Sequence, residues 1–112
     1  MDCLFCRIAA KELESETVYE SDAVVGFRDI NPAAPVHVLV VPRDHVESVA
    51  ELTRAHGEVL GEMFEAIATL ARDAGLDGGY RVVTNVGPDA GQSVGHLHFH
   101  LIGGRSMTWP PG

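Results

Sequence analysis

Nowhere does the sequence hold a run of about 18 apolar residues, so no membrane-spanning helix is expected. A basic leader ahead of a long apolar stretch is also missing. The chain opens Met-Asp-Cys-Leu-Phe-Cys-Arg, which does not read as a secretion signal. No block of Lys or Arg interrupts the acidic composition. Eight basic residues against sixteen acidic ones leave a formal net charge of −8, which argues against a broad nucleic-acid or anionic-membrane surface. Small anions stay within reach, because backbone amides and a few imidazoles supply positive potential locally. There is no internal repeat, no low-complexity tract and no linker. One domain over residues 1–112 is expected, with 46% apolar residues to form its core.

Cysteine is scarce too. Cys3 and Cys6 are the two in the chain, spaced Cys-x-x-Cys. Without a secretion signal the expected compartment is the reducing cytoplasm, where a structural disulfide would not last. Such a pair reads as half a zinc site or as a redox motif. No apolar strand precedes it, as a redox motif in a βαβ unit would require, so the metal reading is preferred.

What is present alternates between strand and helix patterns. Val18-Tyr19 and Val24-Val25-Gly26-Phe27, separated by Glu-Ser-Asp, read as a hairpin. Asn31-Pro32-Ala33-Ala34-Pro35 is a loop, since its prolines bar regular structure. His37 to Val41 reads as a strand stopping at Pro42. Ser48-Val49-Ala50-Glu51 fits a capping box, with Thr53 a competing helix start. Val59, Leu60, Met63, Phe64, Ile67, Leu70, Ala71 and Ala74 then recur at helical spacing, and Gly75 suits a C-terminal cap. That predicts one amphipathic helix of about twenty residues. Tyr80–Asn85 reads as a strand, Gly87–Gly95 as a glycine-rich loop and His96–Ile102 as the last strand. The order favours an α+β domain: an antiparallel five-stranded sheet covered by one main helix.

Period two sets His96, His98 and His100 on one side of the last strand and Leu97, Phe99 and Leu101 on the other. Alternate side chains stand about 6.6 Å apart, near the span of a phosphate and its contacts. Three imidazoles on one face are costly filler, because each needs a hydrogen-bond partner. Two chemistries fit: a metal cage, or an imidazole attacking phosphorus while others hold its oxygens. The preceding loop, with Gly91, Gln92 and Ser93, offers free N–H groups, an amide and a hydroxyl, which favours phosphate.

The run His96-Leu97-His98-Phe99-His100-Leu101-Ile102 resembles the histidine triad superfamily of nucleotide hydrolases and transferases. The resemblance runs from about Cys3 to Gly112 and includes Asp29-Ile30-Asn31-Pro32, Pro35-Val36-His37, Gly91-Gln92-Ser93 and Trp109-Pro110-Pro111-Gly112. The loop and tail are similar to the Hint branch, the purine nucleoside phosphoramidases. The resemblance implies that His98 attacks the α-phosphorus of an AMP-linked phosphoramidate, forming a nucleotidyl-histidine that water resolves to AMP. By the same likeness His100 binds phosphate oxygens, Ser93 holds the phosphate or the departing amine, and Gly91, Gln92 and Asn85 line the phosphate region. Asp29 takes the ribose hydroxyls; Ile30, Phe5, Leu13 and Phe27 wall the base; His37 orients the triad. Asp29 could equally be a turn former, and Phe5, Leu13 and Phe27 simply core.

Zinc-bearing members of the superfamily use a Cys-x-x-Cys, a His after the central strand and the first triad His. The resemblance assigns Cys3, Cys6, His45 and His96 to a closed structural Zn2+ site that ties a floppy N-terminus to the sheet. It also implies a homodimer, with the sheet extended across it and the tail reaching a neighbouring site. No organic cofactor is expected. Three competing functions are hydrolysis of dinucleoside polyphosphates, a nucleotide-binding regulatory module with weak catalysis, and a metalloenzyme with zinc on all three triad histidines.

Overall fold

The computed structural model describes residues 3–112. Five strands form one antiparallel sheet: β1 (Thr17–Glu20), β2 (Val24–Arg28), β3 (Val36–Pro42), β4 (Tyr80–Val83) and β5 (Phe99–Gly103). Their spatial order is β1-β2-β3-β5-β4, so β5 lies between β3 and β4. Two helices cover the faces: α1 (Leu4–Ala9) and α2 (Gly57–Asp73). Among the described residues, no helix is long and apolar enough to cross a membrane.

The continuous apolar run of β3 follows from burial on both sides. Val38 and Val40 face α2, where they join Met63, Ile67, Leu70, Leu97, Phe99 and Leu101. Leu39 and Val41 face the other way, with Phe5, Ala9, Val25 and Phe27. α2 therefore closes the core proper, while α1 builds a smaller cluster on the opposite face. That second face carries the histidines.

Several boundaries differ from the sequence expectation. Ladder pairing in β5 begins at Phe99, opposite Val40, so His96 and His98 precede the strand. Their segment stays extended through other bonds: Leu97 N–H donates to Val46 O at 2.6 Å, and Thr84 Oγ1 donates to His98 O at 2.8 Å. Backbone extension alone preserves the alternation, since Leu97, Phe99 and Leu101 still enter the α2 core. β4 ends at Val83, short of the predicted Tyr80–Asn85, and Thr84 meets the His98 carbonyl through its hydroxyl rather than through the ladder. β3 starts one residue early, at Val36, and includes Pro42.

Both candidate helix starts form caps on short 3₁₀ turns. Ser48 caps Val49–Glu51, and Thr53 caps Arg54–His56. The Ser48 capping box does not close, because Glu51 reaches the N–H of Glu47 instead. Thr53 closes one with a histidine: its N–H donates to His56 Nδ1 at 2.9 Å. α2 then runs for 17 residues. Gly75 (φ +72°) ends it, with Leu76 N–H on Ala71 O and Gly75 N–H on Arg72 O, a Schellman pattern.

The N-terminal segment departs furthest from expectation. It is helical, with the Cys3 thiol accepting from Cys6 N–H at 3.3 Å as the N-cap. Six residues are too few to show periodicity, and a thiol lies outside the usual oxygen caps.

Candidate functional site

A cavity of about 440 Å³ opens on the α1 face. Phe5, Leu13, Phe27 and Leu39 form its apolar wall, and Ile30, 90% exposed, stands at its rim. Ser93, His98, His100 and Asp29 supply its polar lining. Eight residues singled out from the sequence thus meet in one cavity. Phe5 packs edge-on against Phe27, with ring centroids 5.4 Å apart, and against His98, at 5.0 Å. It is therefore both core and cavity wall.

The remaining sequence candidates lie outside the lining. Gln92 turns into its own loop: its Oε1 accepts from Gly87 N–H, and its Nε2 donates to Glu47 O and Val94 O. With those bonds made, its amide braces the glycine loop. Gly91 (φ +83°) ends the turn Pro88–Ala90, a left-handed position that suits glycine. Asn85 is half-buried just past β4. His37 sits behind His100. Sequence reasoning missed Leu4 and Ile8 of α1, which line the cavity because that helix was not anticipated. Leu39, read only as strand core, lines it too.

Hydrogen bonds assign the imidazole protons. His98 Nδ1 lies 2.7 Å from His96 O. A carbonyl only accepts, so this nitrogen carries a proton, and in the neutral ring the lone pair falls on Nε2. His98 is 5% exposed, yet borders the cavity. Its ring centroid is 4.9 Å from that of His100. His100 Nδ1 lies 2.9 Å from His37 Nε2, and Asp29 Oδ2 lies 3.4 Å from the same Nε2. Asp29 Oδ1 accepts from Asn31 N–H at 2.8 Å, so the turn-forming role is real and leaves Oδ2 for other contacts.

Burial, followed by the neighbouring His98 and His37, pushes the His100 pKa from 6.5 down to about 4. His100 is therefore neutral at pH 7. Between about pH 6.5 and 4 the unfolded chain binds the extra proton, so stability present at neutral pH is lost as pH falls through that window. The melting temperature is expected to be lower at about pH 5 than at pH 7, with His100→Asn shrinking the difference. A difference unchanged by the substitution would assign the effect to other groups.

The four candidate metal ligands form a separate cluster beside the cavity, with donor atoms all within 4.8 Å of one another. His96 Nδ1 lies 3.2 Å from Cys3 Sγ and 3.4 Å from Cys6 Sγ, and His45 Nδ1 lies 3.3 Å from Cys6 Sγ. His96 Nε2 donates to Pro42 O at 2.8 Å, which leaves Nδ1 unprotonated and aimed at the thiols. A backbone carbonyl behind a ligating imidazole is the usual support for such a ligand. Two thiols and two imidazoles suit tetrahedral zinc, with no position left open for substrate. Burial, then the Cys3 hydrogen bond, raises the Cys6 thiol to about 11, so a cation would be needed to hold it as thiolate near neutral pH.

The three triad imidazoles do not converge on one point. His96 Nδ1 faces the cysteines, His98 Nδ1 bonds its own backbone, and His100 Nδ1 faces His37. Asp29, His37 and His100 form a second close group of donor atoms. It is a poor metal site, because Ala33 N–H donates to His37 Nδ1 at 2.9 Å, so His37 Nε2 must keep its proton.

The sequence matches the HIT domain family over residues 10–107. It is 47% identical over 111 residues to a 14 kDa zinc-binding protein of Zea mays, covering 97% of this chain and 87% of that protein. It is 44% identical to an adenylylsulfatase of Arabidopsis thaliana, over 97% of this chain and 76% of that protein. Among solved structures, a HIT family hydrolase of Legionella pneumophila superposes with a TM-score of 0.97 at 43% identity, covering 99% of this chain and 100% of that one. Fold, sequence and the row of histidines agree: the chain belongs to the HIT domain family.

Proposed function

We propose that this protein is a nucleotide hydrolase that cleaves the P–N bond of AMP-linked phosphoramidates and releases AMP. One observation carries the reading. His98 holds its proton on Nδ1 against a carbonyl and keeps the Nε2 lone pair beside an apolar cavity and a neutral His100. A neutral imidazole with a fixed tautomer is a competent nucleophile. In this reading Nε2 attacks the α-phosphorus, the P–N bond to the substrate amine breaks, and the amine departs with a proton drawn from water. Water then attacks the nucleotidyl-His98, giving AMP and restoring the imidazole. The imidazolium formed on attack is stabilised by the His96 carbonyl on Nδ1–H.

His100 donates to phosphate oxygens, Ser93 bonds the phosphate or the departing amine, and Gly91, Gln92 and Asn85 shape the phosphate end. Asp29 accepts from the ribose, and Phe5, Leu13, Phe27 and Ile30 hold a purine. Cys3, Cys6, His45 and His96 hold a structural zinc, which anchors α1, as the name of the Zea mays relative suggests. A reducing cytoplasm would keep those thiols available. A homodimer is part of the same reading, because β4 is an edge strand with Tyr80 and Val82 exposed.

The test is a substrate panel with a rapid acid-free quench and mass spectrometry. Adenosine 5′-phosphoramidate is expected to be turned over faster than a diadenosine polyphosphate, with a nucleotidyl adduct on His98. Adenylyl sulfate belongs in the panel because of the Arabidopsis relative's name. Faster cleavage of either competitor would replace the proposed leaving group. Turnover with the adduct elsewhere would refute the role of His98.

A further inference from the structure

We infer that Arg105, in the C-terminal tail, is a positioning residue for this site: by holding the Ala33 carbonyl it keeps the Ala33 N–H on His37 and so fixes the tautomer of His37 and, through His37, that of His100. Its link to turnover rests on the function proposed above; its link to the tautomers does not.

The chain of contacts is continuous. Arg105 Nε and Nη2 both donate to Ala33 O, at 3.2 and 3.0 Å, while Nη1 donates to Ser106 O at 3.1 Å. The N–H of Ala33 donates to His37 Nδ1 at 2.9 Å. A nitrogen that accepts from a backbone N–H has no proton, so neutral His37 carries its hydrogen on Nε2. That hydrogen faces His100 Nδ1 at 2.9 Å and Asp29 Oδ2 at 3.4 Å. His100 Nδ1 must then accept, which leaves its proton on Nε2, the arrangement a phosphate oxygen requires of it. The reverse assignment, with His100 donating from Nδ1, would demand an imidazolate at His37.

Ala33 needs an external hold because of its surroundings. Pro32 and Pro35 have no N–H to tie their loop into a ladder. Asp29 pins the loop at Asn31, and the tail meets it at the other end. Gly104, at φ +94°, brings the tail so close that a Cβ there would stand 3.0 Å from Pro35 Cβ. Beyond that contact, the Arg105 guanidinium closes on the carbonyl with two donors. Without it the two peptide planes that meet at the Ala33 Cα lose their outer anchor, the Ala33 N–H is free to turn from His37, and His37 is free to take a proton on Nδ1. The groups facing the His37–His100 pair are Asp29 and His98; in the sheet His100 is flanked by Leu39 of β3 and Val83 of β4.

Nitrogen-15 NMR of the imidazoles tests this directly, in wild type, Arg105→Met and Arg105→Lys. Methionine retains an apolar stem and deletes every donor; lysine restores one charged donor. Wild type is expected to show His37 and His100 both protonated on Nε2. R105M should show a tautomer mixture at His37, and its acid limb of kcat/KM should move up by roughly one pH unit. R105K should recover part of both. A wild-type His37 protonated on Nδ1 overturns the proposal, whether or not any variant folds. So does a folded R105M with wild-type tautomers and pH profile. If no phosphoramidate is turned over, the NMR arm still decides the role of Arg105, and only the proposed function fails.

Discussion

Replacing His98 by alanine is expected to lower phosphoramidate turnover by roughly 10⁴-fold or more, the scale on which removing a covalent nucleophile acts. The size of the effect follows from how few alternatives the cavity offers. His100 Nδ1 is occupied by His37, and His96 faces the cysteines. Neither presents a lone pair fixed like that of His98 Nε2. AMP should still bind, within roughly tenfold, because the apolar wall and Asp29 are untouched and ground-state contacts survive loss of the attacking group. The missing ring also touched Phe5 and His100, so a modest loss of affinity is expected. Single-turnover kinetics and calorimetric titration with AMP measure the two effects separately. A folded variant retaining a hundredth of wild-type activity would remove His98 from the chemistry. If cells tolerate this substitution but not loss of the protein, nucleotide binding is the physiological role.

With zinc held at the cluster as proposed, its removal should have the largest effect on stability. An ion present at about a thousand times its dissociation constant stabilises the folded state by about 4 kcal/mol. For a domain of this size each kcal/mol is worth about 4 °C, so chelation should lower Tm by about 15 °C. The double substitution Cys3→Ser with Cys6→Ser should do the same and become insensitive to chelator. The sheet is expected to persist, because its larger core lies on the α2 face and contains none of the four ligands. What loosens is α1, a six-residue helix capped by the Cys3 thiol. Phe5 sits between the two cysteines and walls the cavity, so AMP affinity should fall along with Tm. Scanning calorimetry with metal analysis of the purified protein is the measurement. A protein that carries no metal and melts unchanged in chelator would reduce the cluster to two thiols among imidazoles.

Much of this molecule was legible in the residue pattern. Alternation of His96, His98 and His100 with Leu97, Phe99 and Leu101 separated a chemical face from a core face, and that separation survives although the ladder begins only at Phe99. Extended backbone enforces it regardless of pairing. The long helix was legible because three turns or more of apolar spacing leave a strong period. α1 was not, since one and a half turns leave none and its cap is a thiol. Gln92 read as a phosphate contact because an amide in a glycine loop suits one; its bonds to Gly87, Glu47 and Val94 depend on where the loop folds back.

By itself, then, the sequence determined the family, the five strands with the long helix, and which side chains share a face of the last strand. It did so because side-chain alternation and spacing are local properties of the chain. Only the tertiary structure decided how three similar histidines divide their work. His96 turns to Cys3 and Cys6, His98 locks on its own backbone carbonyl, and His100 answers to His37, Ala33 and Arg105. A tautomer is set by the partner of the second ring nitrogen, and those partners lie up to 63 positions away in the chain.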